Sequence, residues 1–150
     1  MRVFIGGVMQ GSNLGLKMND QSYRQTIAQM IKARYPNVKI IDPAAMFPDS
    51  IHFDDELARQ VLFDIAQKAA QADIVIAYLP EASMGTALEI VRAYDAGTPV
   101  ISISPMAESW FIRFLSRQVL PTLESFSDWL DKGGLSSIIN SKSAGKERGK

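Results

Sequence analysis

Along this chain, short runs of apolar residues alternate with segments in which apolar residues recur every three or four positions. Short runs that are apolar throughout are typical of strands covered on both faces of a sheet. Five runs come close to this pattern, each with a single polar residue, at residues 2–6, 38–41, 73–79, 99–103 and 119–123. The helical spacing predicts helices over residues 19–35, 54–71, 84–96, 108–117 and 125–140, the last interrupted at Gly133-Gly134. Residues 42–53 contain two prolines and are predicted to form an irregular loop.

This order of elements predicts an α/β fold. Strands that alternate with helices form a parallel sheet covered on both faces, and five strands favour the flavodoxin-like, doubly wound order 2-1-3-4-5. Ligands of such sheets bind beyond the carboxyl ends of the strands, at the switch point between the first and third strands. The loop after Gly6 and the segment 81–85 are therefore expected to face each other.

Length and composition indicate one small globular unit. A chain of 150 residues with 47% apolar residues can bury one core, which we expect to span residues 1–140. Residues 141–150 are polar and basic, and we expect a disordered tail because such composition buries too little apolar surface to offset the entropy of ordering.

Charge and residue usage narrow the function. Sixteen basic residues balance sixteen acidic ones, which argues against a nucleic acid polymer or an anionic membrane as partner and favours a small molecule. Cysteine is absent and no apolar run is long enough to span a membrane, so the chain is expected to be cytoplasmic. His52 is the only histidine, which excludes a metal site with several histidine ligands.

The segment 81–100 carries the candidate chemistry. Ser83 is a good helix N-cap, and Gly85 and Thr86 follow in the first turn, where free N–H groups could bind a phosphate. Glu89 lies six residues beyond Ser83, about 9 Å along the helix axis. A helical side chain leans back toward the N-terminus and shortens this separation by a few ångström, to about that between a nucleotide's 5′-phosphate and its anomeric carbon. The alternative is that Ser83 only caps the helix and Glu89 is a solvated surface residue.

The sequence around these residues resembles the nucleoside 2-deoxyribosyltransferase family and its deoxynucleoside 5′-monophosphate N-glycosidase branch. The matching runs are ADIVIA, SMGTALEIVRAY and GTPVI, at residues 72–77, 83–94 and 97–101. The resemblance implies that Glu89 is the nucleophile that attacks the anomeric carbon. It also implies a nucleotide substrate, because the position of Ser83 is an aspartate in the nucleoside transferases and a phosphate-binding serine in the monophosphate glycosidases.

Three features depart from the family pattern. The acid that assists the leaving base aligns with Ile65, and Asp64, one residue away, is the candidate for that role. A helical neighbour points about 100° away, so Asp64 is equally well explained as a solvated charge. A first-strand tyrosine of the family is replaced by Val3 or Phe4, and a C-terminal asparagine of the transferases has no clear counterpart.

The loop after the first strand is the second candidate binding segment. Its glycines allow a ligand close to the backbone, and its polar side chains could bind base or phosphate. The predicted substrate-binding residues of this loop are Gly6, Gly7, Gln10, Ser12 and Asn13.

Together, these features predict an N-glycosidase or deoxyribosyltransferase that acts on a (deoxy)nucleoside 5′-monophosphate through a covalent glycosyl-Glu89 intermediate, with no cofactor or metal. The alternatives are a nucleotide sensor without turnover and a related N-glycosidase, either a phosphoribohydrolase or an NAD glycohydrolase. The resemblance also implies a homodimer or larger oligomer. Its contact face is expected on the helix at 108–117, through Trp110, Phe111, Phe114 and Leu115.

Overall fold

The computed structural model describes the backbone of residues 1–147 and the side chains of residues 1–141. A five-stranded parallel sheet in the order β2-β1-β3-β4-β5 forms its centre, which confirms the predicted fold class and strand order. The strands are β1 (Arg2–Gly7), β2 (Lys39–Ile41), β3 (Ile74–Tyr78), β4 (Val100–Ile103) and β5 (Gln118–Leu120).

Helices cover both faces of the sheet. They are α1 (Ser22–Arg34), α2 (Pro43–Met46), α3 (Asp55–Gln71), α4 (Met84–Asp95), α5 (Trp110–Leu115), α6 (Leu123–Asp131) and α7 (Gly134–Glu147). Successive strand residues point to opposite faces, so each strand contributes to two cores. In β1, for example, Val3 and Ile5 pack under α1, α6 and α7, whereas Phe4 packs under α3, α4 and α5.

The segment 42–53 is more ordered than its prolines suggest. It contains the short helix α2 and a 3-10 turn at Ser50–His52. The Asp42 side chain accepts a hydrogen bond from the Ala44 amide at 3.0 Å, and Pro43 occupies the first helical position, where a missing N–H is tolerated.

The C-terminal elements differ from the predicted boundaries. The predicted interruption at Gly133-Gly134 separates α6 from α7, and Gly133, at φ 75°, ends α6. The helix α6 begins two residues before the predicted start, because Thr122 caps it through the Ser125 amide. The helix α7 continues to Glu147, past residue 140, where the sequence places the end of the domain. Residues 148–150 of the expected disordered tail lie outside the described residues.

Across residues 1–147, none of the helices combines the length and the apolar character that a bilayer crossing requires.

Candidate active site

A cavity of about 410 Å³ opens at the carboxyl ends of β1 and β3, at the switch point of the sheet. Its walls come from the loop after β1, the first turns of α4 and the middle of α3. The lining residues are Gly7, Met9, Gln10, Gly11, Leu62, Ile65, Ser83, Met84, Gly85, Thr86, Leu88 and Glu89. Six of the ten predicted site residues therefore meet in one cavity.

Glu89 presents its carboxyl group to this cavity from the second turn of α4. The residue is half-buried, but its Oε2 atom is shielded from solvent and has no hydrogen-bond partner among the described residues. Burial raises the pKa of Glu89 from 4.5 to about 8, and the positive charge of Arg24 acts in the opposite direction. Burial of a carboxyl group without a hydrogen-bond partner lowers the stability of the folded chain, so its presence here indicates a ligand-binding role.

The absence of a side chain at Gly6 makes room for this carboxyl group. A Cβ atom at Gly6 would lie 2.5 Å from Glu89 Oε2 and 3.4 Å from the Phe4 ring. Gly6 does not line the cavity itself; it forms the backbone floor against which the Glu89 carboxyl group rests. The β1 backbone therefore fixes how deep the carboxyl group lies.

The N-terminal turn of α4 is open to the cavity. Ser83 Oγ accepts hydrogen bonds from the Thr86 amide at 3.4 Å and from Thr86 Oγ1 at 3.1 Å. A Cβ atom at Gly85 would meet no atom within 4 Å, so nothing covers the first-turn amides there. Free helix N-terminal amides next to a neutral hydroxyl form a favourable anion site.

The loop after β1 is held in place mainly by its own polar side chains. Gln10 Nε2 donates to the Gly15 carbonyl at 3.2 Å, and Asn13 Nδ2 donates to Asn19 Oδ1 at 3.2 Å. Gln10 lines the cavity, but Asn13 does not, and Ser12 lines a separate, neighbouring cavity. The structure therefore brings Gln10 to Glu89 and leaves Ser12 and Asn13 outside this cavity.

The structure does not bring Asp64 to the cavity. The helix α3 runs without interruption, and Asp64 is exposed and forms an ion pair with Lys68 at 3.3 Å. Ile65 lines the cavity in its place. Because neighbouring helical residues point about 100° apart, a regular helix cannot present both side chains to one site. Asp64 is thus a solvated charge in this structure, and the cavity wall opposite Glu89 is apolar.

Arg24 is a site component that the sequence reading missed. Its side chain is buried, with 3% of its surface exposed, and Nη1 donates to the Ile5 carbonyl at 2.8 Å and to Asp42 Oδ1 at 3.0 Å. Its Nη2 donates to the Gly7 carbonyl at 3.2 Å. These bonds hold the β1 backbone on both sides of Gly6, where the Glu89 carboxyl group rests.

The only histidine, the acidic residue at the end of β3 and the exposed aromatic residues of α5 lie outside this cavity. His52 is exposed, and Glu81 is exposed at the end of β3, where it accepts a hydrogen bond from Asn19 at 3.2 Å. Among the described side chains of residues 1–141, no cluster of three or more histidine, aspartate or glutamate residues is arranged to hold a metal ion. Trp110 and Phe114 of α5 are 77% and 62% exposed.

The fold recurs in solved structures of other proteins. A 2-deoxyribosyltransferase from the psychrotolerant bacterium Bacillus psychrosaccharolyticus superposes with a TM-score of 0.54 at 17% identity, over 70% of this chain and 73% of that one. A conserved protein from Enterococcus faecalis V583 superposes with a TM-score of 0.60 at 14% identity, over 87% of this chain and 97% of that one. No protein-family model matches the sequence, and no curated protein matches it. The chain therefore shares its fold with a 2-deoxyribosyltransferase at low sequence identity.

Proposed function

We propose that this chain cleaves or transfers the N-glycosidic bond of a (deoxy)nucleoside 5′-monophosphate, with Glu89 as nucleophile. The observation that carries the proposal is the unpartnered, solvent-shielded Glu89 carboxyl group in a cavity that also holds the open N-terminus of α4. The shared fold with a 2-deoxyribosyltransferase supports the same chemistry.

In this proposal the phosphate binds the Ser83 hydroxyl group and the free first-turn amides of Met84 and Gly85, and the sugar lies over Glu89. The ionised carboxylate attacks the anomeric carbon as the bond to the base breaks, through a transition state like an oxocarbenium ion. The bonding electron pair leaves with the base nitrogen, which takes a proton from water. Water or a second base then attacks the same carbon and releases the carboxylate.

The apolar environment of Glu89 suits this role. A carboxylate surrounded by few hydrogen-bond donors stabilises a developing positive charge more strongly than a solvated one. Leu62, Ile65 and Leu88 line the cavity beside it, so the carboxylate meets the sugar in a region of low polarity. A carboxyl group with a pKa of about 8 is mostly protonated at neutral pH, so the rate should still rise as the solution becomes alkaline.

The phosphate assignment gives a direct test. Each charge-assisted hydrogen bond to the phosphate contributes about 1.5 to 3 kcal/mol of binding free energy. Two such bonds predict that kcat/KM is at least about a hundredfold higher for 5′-monophosphates than for the matching nucleosides. The measurement is base release by chromatography over a panel of ribo- and deoxynucleosides and their monophosphates. Equal rates for nucleosides and nucleotides would contradict the assignment.

The variant Ser83→Ala separates phosphate binding from helix capping. It removes both a cap and a candidate phosphate donor, so the preference for monophosphates should fall about tenfold or more. The matched control is Thr122→Ala, which removes the cap of α6 far from the cavity at a similar cost of about 0.5 to 2 kcal/mol. It should leave the preference unchanged.

Gly6→Ala tests the position of the Glu89 carboxyl group. The added Cβ would have to displace Oε2, so base release should fall by about 10²-fold or more, because a displacement of about 1 Å is enough for such a loss. The control is Gly134→Ala, where the added Cβ would clash with the Trp129 ring outside the cavity, so base release by the folded protein should be unchanged. Gly6→Ala with wild-type activity would show that the carboxyl group does not act from this position.

One observation favours a second candidate function, a nucleotide sensor without turnover. Glu89 is the only carboxyl group that lines the cavity among the described residues, since Asp64 points away from it. A site without a second acid could hold a nucleotide and leave the glycosidic bond intact. Binding of a monophosphate in calorimetry, with no base released over the panel, would identify a sensor.

We also propose that the chain forms a homodimer or larger assembly through α5. Trp110 and Phe114 expose large apolar surfaces on this helix, whereas Phe111 and Leu115 are half-buried beneath it. Light scattering on the wild-type chain and on a Trp110→Glu variant measures this directly.

A further inference from the structure

A second cavity lies on the other side of α4 from Glu89. It has a volume of about 360 Å³, and Leu79, Met106, Phe111 and Ile112 give it an apolar wall. Its lining contains no charged side chain. Such a surface suits an uncharged, planar or aliphatic group and not a phosphate.

The two cavities meet where the N-terminal turn of α4 faces the loop after β1. Ser83 and Met84 line both of them, as does Gly11 of the loop after β1. Further along the helix they diverge: Ala87 lines the second cavity and Glu89 the first. Ala87 and Glu89 are two positions apart, and residues at this spacing in an α-helix differ by about 200° in direction, so these side chains project to opposite sides.

A ligand that fills both cavities must therefore cross the N-terminus of α4. The group at the crossing point would face free backbone amides and the positive end of the helix dipole, which favour an anion. The unpartnered Glu89 Oε2 independently marks the first cavity as a ligand site. The arrangement fits a molecule with a sugar at one end, phosphate in the middle and an apolar ring at the other end.

We propose that the second cavity is a subsite for a second nucleoside, so that the preferred substrate is a phosphate- or pyrophosphate-linked dinucleotide. The inference rests on the proposed function, because it extends the same substrate beyond its phosphate. A monophosphate occupies the Glu89 cavity and the α4 turn, and leaves the apolar cavity empty. The second nucleoside stacks its base against Phe111 and the two methionines, Met84 and Met106, at its rim and wall.

The test compares three substrates with the same sugar and base: the 5′-monophosphate, the 5′-diphosphate and the symmetric 5′,5′-dinucleoside diphosphate. The diphosphate adds charge without a second nucleoside and is therefore the control for the anion alone. We expect kcat/KM for the dinucleotide, per reactive sugar, to exceed that of the diphosphate about tenfold or more. Equal values for the two would overturn the subsite.

A variant that fills the apolar cavity gives the second arm of the test. Ala87→Met extends a side chain into it and should abolish the preference for the dinucleotide, with the rate on the monophosphate unchanged. The control is Ala33→Met, on an exposed position of α1, which should preserve the preference. Equal loss in both variants would overturn the subsite.

These outcomes separate the subsite from the proposed function. Turnover of the monophosphate without a dinucleotide preference retains the glycosidase and overturns the subsite. If no substrate is cleaved, calorimetry decides: tighter binding of the dinucleotide than of the diphosphate, lost in Ala87→Met, supports the subsite alone. A dimer that Phe111→Lys dissociates, with no dinucleotide preference, would assign the cavity to a second copy of the chain and overturn the subsite.

Discussion

Glu89→Gln is expected to abolish base release, with a loss of about 10³-fold or more in kcat. Glutamine keeps the size and shape of the side chain but cannot form the covalent bond to the sugar. Far-ultraviolet circular dichroism should be unchanged, because the side chain lines a cavity and contributes little to the packed core. A Gln variant with wild-type turnover would show that Glu89 is not the nucleophile.

The same variant makes a prediction about pH. The pKa of Glu89 is raised to about 8 in the folded chain, against 4.5 in the unfolded chain, so the folded chain holds this proton more tightly. Its contribution to stability is complete below about pH 4.5 and is lost as the pH rises through about 8. Glu89→Gln should therefore match the wild type in thermal stability at low pH and exceed it at pH 9. The wild-type rate of base release should rise with pH up to about 8, as Glu89 ionises.

Asp64→Asn is the matched control for the loss of turnover. It also removes one carboxylate, but an exposed one that is paired with Lys68 outside the cavity. Turnover should change by less than about twofold on every base. If Asp64→Asn slows poor leaving bases by about 10² to 10⁴, the residue does protonate the base. The regular α3 helix would then have to rearrange when substrate binds.

The fold was predictable because its three central strands, β1, β3 and β4, are short and buried on both faces. Residues 74–77 of β3 are fully buried in the sheet centre, and the apolar run around them is the clearest strand signal in the chain. The alternation of strands with helices then limited the possible strand orders, because parallel neighbouring strands are joined by helical crossovers. Element ends were less predictable, since caps such as Asp42 and Thr122 act through individual hydrogen bonds.

The site was predictable where its residues lie close together in the sequence. Ser83, Gly85, Thr86 and Glu89 belong to one helix, so helical geometry alone places them on one cavity. Whether Asp64 or Ile65 faces the cavity depended on the rotation of α3 about its axis, which one sequence does not determine. A shift of one residue, or about 100° around the helix, is enough to bring Ile65 to the cavity in place of Asp64.

Arg24 shows what the sequence reading overlooked. Its position three residues before Ile27 and seven before Ile31 places it on the buried face of α1, and this periodicity was a usable signal. A charged residue on an apolar helix face is rarely fully buried unless it is paired. Its partners, Asp42 and the β1 carbonyls, come from two other segments, so the pairing required the tertiary structure.

Arg24→Met is expected to lower the free energy of unfolding by about 3 to 5 kcal/mol, because it leaves Asp42 and two carbonyls without their donor. Arg34→Met is the matched control. Arg34 pairs with Asp131 at 2.7 Å, but their side chains are 25% and 62% exposed, so its loss should lower the free energy of unfolding far less than the loss of Arg24. Urea denaturation of both variants measures the difference, and equal losses would contradict the structural role of Arg24.

The rate profile of Arg24→Met supplies a second, independent readout. The positive charge of Arg24 lowers the pKa of Glu89, so its removal should shift the alkaline rise of kcat/KM to a pH above that of the wild type. Arg24→Lys retains the charge but not all four hydrogen bonds, and should restore the pH profile more fully than the stability. A loss of stability with an unchanged profile would limit Arg24 to holding the β1 backbone. A shifted profile, restored by lysine, would show that its charge also sets the ionisation of Glu89.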